Sequence, residues 1–216
     1  MNDGRRKIEI AYLCVLLLLA VVFLDGCVNG PDDVVVLPPF DDYHTAIAEG
    51  WLEFGAGRYN NAITAFDEAT EIDPTLSQAY LGLGWSYAMI DQMEISLSNV
   101  ELAIVKDSES PDGYAAKAFV HLVQDEYEAA IEAAGEAIVF GGESYVFSQI
   151  PDVQTRNLRL LMAESYYATG QYADAQNQVD ILNPDNNLDQ DSRTYTEDLL
   201  LEMESLGSTV LEELIN

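Results

Sequence analysis

The chain has 216 residues, of which 49% are hydrophobic, a share that is ordinary for a folded protein and argues against disorder. Its 38 acidic and 9 basic side chains give a formal net charge of −29 at pH 7. A surface of this charge repels phosphate backbones, so the composition argues against a nucleic-acid-binding protein. Such a surface serves solubility or attracts a cationic partner.

The chain begins with the pattern of a secretion signal. Arg5, Arg6 and Lys7 form a positive cluster, and residues 10–24 are an uncharged, mostly apolar run of fifteen residues. Since a membrane-spanning helix needs about 18 or more apolar residues, this run favours a cleaved signal peptide. An uncleaved span and plain secretion stay open as alternatives to the lipid anchor described next.

The end of this run, Leu24-Asp25-Gly26-Cys27, resembles the lipobox of bacterial lipoproteins. The resemblance implies that residues 1–26 are removed as a signal peptide and that Cys27 is lipidated with a diacylglycerol. Asp25 departs from the small or apolar residue that is usual at its position. In enterobacterial-type sorting, Asp in place of Val28 would retain the protein at the inner membrane. The resemblance therefore favours a lipid-anchored protein of the cell envelope, on the periplasmic face of the outer membrane.

Cleavage before Cys27 leaves one cysteine in the mature chain, because Cys14 lies within the removed segment. No disulfide is then possible within the chain, and an acylated Cys27 leaves no thiol for catalysis or metal binding. Residues 27–42 contain three prolines and have no helical period. They are therefore expected to be a tether between the membrane and a folded domain.

From residue 43 the sequence repeats with a period of 34 residues. Similar stretches begin at 57, 91 and 125, and a fourth begins at 170 after eleven additional residues near 142–154. Small residues recur at two fixed places of the period, namely Gly50, Gly84, Ala118 and Ala163 at the first and Ala62, Ser96, Ala130 and Ala175 at the second. Recurring small residues of this kind suit antiparallel helices, which cross closely only where side chains are small.

This pattern resembles the tetratricopeptide repeat, with repeats that begin at about 43, 77, 111 and 156. The resemblance implies an all-α fold over residues 43–184, a right-handed α-α superhelix (solenoid) of about four helix pairs. Because a solenoid needs a terminal cap, residues 185–216 are expected to form capping helices: one over about 192–205 and a short second one after Gly207. Their apolar stripe consists of Leu199, Leu200, Met203 and Leu206.

The repeats contain no clear motif for catalysis. Ser86 lies in a Gly-x-Ser pattern, but a nucleophile elbow needs a preceding strand, and Ser86 is expected in mid-helix. His44 is expected on an exposed helix face, and His121 is expected to be a packed or hydrogen-bonded core residue. The sequence therefore predicts a protein that is not an enzyme and uses no cofactor.

Oxygen-bearing side chains at alternate positions resemble the start of a calcium loop; they are Asp185, Asn187, Asp189 and Asp191. Gln190 replaces the glycine needed for the sharp turn, and the twelfth position holds Thr196 rather than Glu. A solvated loop is therefore favoured, and no metal site is predicted. The alternative function is an envelope protein that binds a small ligand or calcium.

The resemblance implies that the first helix of each repeat lines a concave, partner-binding groove. An aromatic ladder recurs there at 34-residue spacing, Trp51, Trp85 and Phe119, and Glu164 takes the fourth place. The candidate groove residues are Ile47, Trp51, Phe54, Leu81, Trp85, Phe119, Leu122 and Tyr167. They lack the Lys and Asn with which chaperone-tail clamps grip a carboxylate. We therefore expect a protein partner of unknown identity that presents an apolar peptide or helix, with or without basic flanks.

The ladder has a second interpretation, in which neighbouring first helices or the protein's own C-terminal helix bury it. With the groove covered in this way, the same residues would belong to the core. With the groove open, the sequence predicts a non-catalytic protein–protein interaction scaffold, attached to the membrane through Cys27 and not to nucleic acid.

Replacing Cys27 by Ala is expected to abolish acylation, because the thiol is the acceptor of the diacylglycerol. Metabolic labelling with a clickable fatty acid should mark the wild-type protein and leave Cys27→Ala unmarked. Cys14→Ala is the matched control and should label like the wild type, since Cys14 lies in the segment that is removed. Equal labelling of the wild type and Cys27→Ala would overturn the lipid anchor.

Overall fold

The computed structural model describes the backbone of residues 43–215 and the side chains of residues 43–207. The predicted signal peptide, Cys27 and the tether lie outside these residues. The described part of the chain forms nine helices: α1 (Tyr43–Gly55), α2 (Tyr59–Ile72), α3 (Ser77–Met89), α4 (Met93–Lys106), α5 (Pro111–Val123), α6 (Tyr127–Gly141), α7 (Thr155–Ala168), α8 (Tyr172–Leu182) and α9 (Tyr195–Ile215). None of them combines the length and the apolar character that a membrane crossing requires.

Consecutive helices pack on one another along the chain. α1 packs with α2, α3 with α4, α5 with α6 and α7 with α8, and successive pairs are joined through α2–α3, α4–α5 and α6–α7. The predicted all-α helical-repeat superhelix is thereby confirmed. The first helices of the pairs begin at Tyr43, Ser77, Pro111 and Thr155. Pro111 is the first residue of α5. Proline has no backbone N–H, and it costs nothing there because the N–H groups of the first helical turn have no intrahelical partners.

Close helix crossings depend on residues without a side chain. The Phe66 ring of α2 is fully buried and lies against Gly50 of α1 and Gly82 of α3, where an added Cβ would overlap it. At the next crossing, a Cβ on Gly84 would lie 2.5 Å from Cγ2 of Val100. The glycines of the repeat therefore set how closely these helices approach.

Two hairpin turns are held by a polar pair at the same two places of the repeat. In the first repeat, Glu53 is 5% exposed and accepts hydrogen bonds of 2.6 and 2.7 Å from Nε and Nη2 of Arg58. The hydrogen-bonded guanidinium lowers the pKa of the Glu53 carboxyl. In the third repeat, Nδ1 of His121 lies 2.6 Å from Oε2 of Glu126. His121 is thus a packed, hydrogen-bonded residue, and His44 is exposed, both as predicted.

The C-terminal segment forms one helix, and the prediction of two helices was wrong. α9 continues through Gly207 to its end. A glycine inside a helix costs only about 0.5–1 kcal/mol relative to alanine. Burial of Leu199, Met203 and Leu206 offsets that cost, since each buried apolar side chain contributes about 1.5–3 kcal/mol. These three side chains pack on α7 and α8 and cover the open end of the last repeat.

Gly50→Ala and Gly82→Ala are each expected to lower the free energy of unfolding by about 1–3 kcal/mol, because the added methyl group overlaps the buried Phe66 ring. Gly135→Ala is the matched control within α6, where nothing lies within 4 Å of the added Cβ. There alanine should be neutral or stabilise the protein by up to about 1 kcal/mol. Chemical denaturation measures all three variants, and equal effects would contradict the role of the two glycines.

Candidate binding site on the concave face

Residues 142–154 connect α6 to α7 where the other repeats have a short turn; we call them the insertion segment. The N–H of Phe147 donates to the carbonyl of Val153 at 2.8 Å. Val146 and Gln154 form an isolated antiparallel bridge. These backbone contacts close the insertion segment into an ordered loop.

Both ends of the insertion segment are fixed to the repeats. Gly142 has a φ of +75°, a left-handed conformation that favours glycine, and its carbonyl accepts a hydrogen bond of 2.7 Å from Oγ1 of Thr155. Tyr145 is 7% exposed, and its hydroxyl donates to Oδ1 of Asp112 in α5 at 2.8 Å. Burial raises the pKa of both groups of this pair. The loop is therefore positioned by contacts with α5 and α7.

Phe147 brings the insertion segment onto the concave face. Its ring is 2% exposed and meets Trp51 of α1 edge to face, with ring centroids 5.6 Å apart. It also stacks on Trp85 of α3 at 6.4 Å, and Trp85 lies 5.3 Å from Phe119 of α5. Aromatic pairs of this kind contribute about 0.5–1.5 kcal/mol beyond their buried area. Phe147 therefore joins the predicted ladder as an additional member that no repeat supplies.

The predicted groove residues are only partly accessible. Ile47, Leu81 and Trp85 are buried. The others are half-buried, namely Trp51, Phe54, Phe119, Leu122 and Tyr167. The sequence alone left open whether neighbouring helices or the C-terminal helix would bury the ladder. It did not predict that the insertion segment would cover the ladder. At the fourth repeat α9 does cover the face, and the hydroxyl of Tyr167 donates to the carbonyl of Thr196 at 3.0 Å.

Between the insertion segment and α9, part of the concave face remains open as a cavity of about 220 Å³. Its walls are mainly aromatic and aliphatic, and they include Phe54, Tyr59, Trp85, Phe119, Leu122 and Leu161. Residues 149–154 of the insertion segment and Gly207 of α9 also border it. The cavity is therefore the part of the predicted groove that remains open, and it is bordered on two sides by covers from the same chain.

Glu164 of α7 lies in this cavity at the place of the repeat that holds Trp51, Trp85 and Phe119 in the first three repeats. Burial, with no charged partner among the described residues, raises the pKa of its carboxyl to about 7. The sequence pattern alone identifies Glu164 only as the residue at which the aromatic ladder ends. One acidic residue in an otherwise aromatic place was the signal that could have singled it out.

The structure also describes the serine that was considered as a nucleophile and the side chains that were considered as calcium ligands, and both make local hydrogen bonds. Ser86 is buried in mid-helix and donates to the carbonyl of Gly82 at 2.7 Å, so it lacks the geometry of a nucleophile. The calcium candidates lie in the loop before α9, where Oδ1 of Asp189 accepts the N–H of Asp191 at 3.0 Å. Within residues 43–207, no three His, Cys, Asp or Glu side chains are arranged to hold a metal ion.

Solved structures of several helical-repeat proteins resemble this chain. YrrB, a tetratricopeptide-repeat protein with an unusual peptide-binding site, matches 80% of this chain and 91% of its own length with a TM-score of 0.58 and 15% identity. MamA matches 78% of this chain and 82% of its own with a TM-score of 0.55 and 19% identity. The TPR2B domain of yeast Sti1, solved in a complex with pHsp70, matches 60% and 97% with a TM-score of 0.51 and 22% identity.

Sequence comparison adds one curated relative. Superkiller protein 3 of Schizosaccharomyces pombe is 29% identical over 133 residues, which are 60% of this chain and 9% of that protein. The chain thus spans less than a tenth of that relative's length. No protein-family model matches the chain.

Proposed function

We propose that this protein is a lipid-anchored, non-catalytic tetratricopeptide-repeat scaffold of the cell envelope, attached through Cys27 at the periplasmic face of the outer membrane. Its concave face binds an apolar segment of a protein partner, and the insertion segment occupies that face until the partner displaces it. The observation that carries the binding part of this proposal is the position of the Phe147 ring between Trp51 and Trp85.

The insertion segment indicates what kind of peptide the face accepts. Tyr145 and Phe147 are buried, whereas Val146 and Ser148 between and after them are exposed. Side chains of an extended peptide that lies in a groove alternate in this way between the protein and the solvent. A partner segment with aromatic or aliphatic side chains at alternate positions therefore matches the concave face.

Displacement of the insertion segment sets the affinity for such a partner. Because the segment belongs to the same chain, its effective concentration at the concave face is fixed by its short length and not by diffusion. The apparent affinity for a partner is lowered in proportion to the fraction of molecules whose face is open. Substitutions that loosen the segment should therefore strengthen partner binding, and substitutions that remove the aromatic face should weaken it.

The charge of the chain favours a partner segment with basic flanks. The formal net charge of −29 attracts cationic segments over distances of about a Debye length, roughly 8 Å at physiological salt. Complementary charges of this kind raise the association rate more than the affinity. The apolar contacts of the concave face would then provide most of the binding free energy.

The tether supports a role close to the membrane. Residues 27–42 span at most about 55 Å when fully extended. A lipid at Cys27 would hold the repeats within that distance of the bilayer, where they can contact membrane-bound or periplasmic partners.

The similar structures support a peptide-binding face. YrrB is described with an unusual peptide-binding site, and the TPR2B domain of Sti1 was solved in a complex with pHsp70. Those ligands are properties of those proteins. What supports the proposal here is that a shared fold presents a concave surface of comparable architecture.

A peptide with the sequence of residues 142–154, GESYVFSQIPDVQ, is expected to bind the Phe147→Ala variant about tenfold more tightly than the wild type, because the variant has lost the ring that competes for the same position. Phe140→Ala is the matched control, since Phe140 stacks on Tyr114 instead of on the ladder, and should bind like the wild type. Adding Trp51→Ala to Phe147→Ala should abolish the gain. Fluorescence anisotropy with labelled peptide measures all four proteins, and equal affinities would contradict the proposal.

The same variants test the scaffold in its membrane. Crosslinking in native envelopes followed by mass spectrometry should recover more of a specific partner with Phe147→Ala than with Phe140→Ala. Trp51→Ala in the Phe147→Ala background should remove that increase. A recovery that is the same for all three variants would contradict partner binding on the concave face.

A further inference from the structure

The cavity between the insertion segment and α9 has the chemistry of a binding site for a cation. Four aromatic side chains, Phe54, Tyr59, Trp85 and Phe119, border it. The face of an aromatic ring attracts an organic cation. These walls therefore suit a ligand that combines apolar surface with positive charge.

The titratable groups of the cavity also favour a cationic ligand. Among the described residues that line it, those that titrate are Tyr59, Asp152 and Glu164, and none is Lys, Arg or His. Burial raises the pKa of all three groups, so Tyr59 stays neutral near pH 7. Glu164 is half-buried, because part of its surface faces the cavity. An ionised carboxylate there has no counter-charge among the residues that the structure describes.

We propose that this cavity binds a small organic cation, an apolar or aromatic body that carries one ammonium group, with the ammonium against Glu164 and the body among the aromatic walls. The ammonium supplies the counter-charge that the chain does not. This ligand site is additional to the proposed partner-binding function of the concave face, and it needs no displacement of the insertion segment.

The size and position of the cavity favour a small molecule over a partner's side chain. A volume of about 220 Å³ lies below the roughly 300–1,000 Å³ that is typical of sites for drug-sized ligands. Residues 149–154 border the cavity, and Phe147 of the same loop is buried in the ladder. A peptide would have to remove this loop, whereas a small molecule fits with the loop in place.

The test compares 2-phenylethylammonium with 2-phenylethanol, which has the same number of non-hydrogen atoms and no charge. Titration calorimetry on the wild-type protein should give tighter binding for the ammonium than for the alcohol at pH 8. The affinity for the ammonium should rise about tenfold from pH 6 to pH 8. A carboxyl with a pKa of about 7 is ionised to about a tenth at pH 6 and about nine tenths at pH 8, while the alkylammonium stays charged. The affinity for the alcohol should not change.

Two variants locate the charge. Glu164→Gln keeps the shape of the side chain, and it should bind the ammonium no better than the alcohol and lose the dependence on pH. Asp152→Asn is the matched control, because it removes a carboxylate from the same cavity and should keep the rise with pH. Circular dichroism establishes that both variants are folded.

Three results would overturn the proposal. Equal binding of the ammonium and the alcohol at pH 8 would show an apolar cavity without charge recognition. A pH dependence that is lost in Asp152→Asn and kept in Glu164→Gln would place the cation elsewhere. Binding of a lysine-containing apolar peptide that depends on Glu164, without any binding of 2-phenylethylammonium, would make the cavity a side-chain pocket of the partner groove. That last result would leave the proposed partner function intact, so the two proposals fail separately.

Discussion

Shielding the apolar inner face of the superhelix from water is the constraint on which the rest of the structure depends. Each helix pair buries one face against its neighbours, and its first helix presents another to the concave side. In this protein that side carries indole and phenyl rings. Phe147 packs between Trp51 and Trp85, and α9 covers the fourth repeat. The protein therefore uses parts of its own chain where an interaction scaffold would place a partner.

The insertion segment and α9 leave the cavity between them, and this cavity explains how the carboxyl of Glu164 is accommodated. A carboxylate in an apolar core without a partner would cost several kcal/mol. Here the side chain faces the cavity and is only half-buried, which limits that cost. Residues 149–154 border the cavity, and the same insertion segment carries Phe147. A ligand in the cavity and a partner on the concave face would thus both contact the insertion segment, so that binding of one would change the affinity for the other by thermodynamic linkage.

The sequence predicted the features that follow from local repetition. A fixed period with small residues at fixed places predicts helix pairs and their close crossings, and Gly50 and Gly82 against Phe66 show the contact that this pattern requires. The position of Phe147 could not be predicted in this way, because it depends on contacts with Trp51 and Trp85, which lie far away in sequence. The sequence did not predict that α9 is continuous, because a glycine such as Gly207 locally favours the end of a helix. Packing of α9 on α7 and α8 keeps the helix intact through this residue. From the sequence, Glu164 could be identified only as an acidic residue at an otherwise aromatic place of the repeat. That it borders a cavity could not be predicted, because the cavity depends on the positions of the insertion segment and α9.

Nuclear Overhauser spectroscopy of the protein in solution shows directly whether the insertion segment occupies the concave face. The ring protons of Phe147 should show contacts with the indole protons of both Trp51 and Trp85, whose ring centroids lie 5.6 and 6.4 Å away. Phe140 provides the internal reference and should show contacts with Tyr114 instead. Absence of both Phe147 contacts, in spectra where the Phe140–Tyr114 contact is observed, would show that the insertion segment does not occupy the concave face.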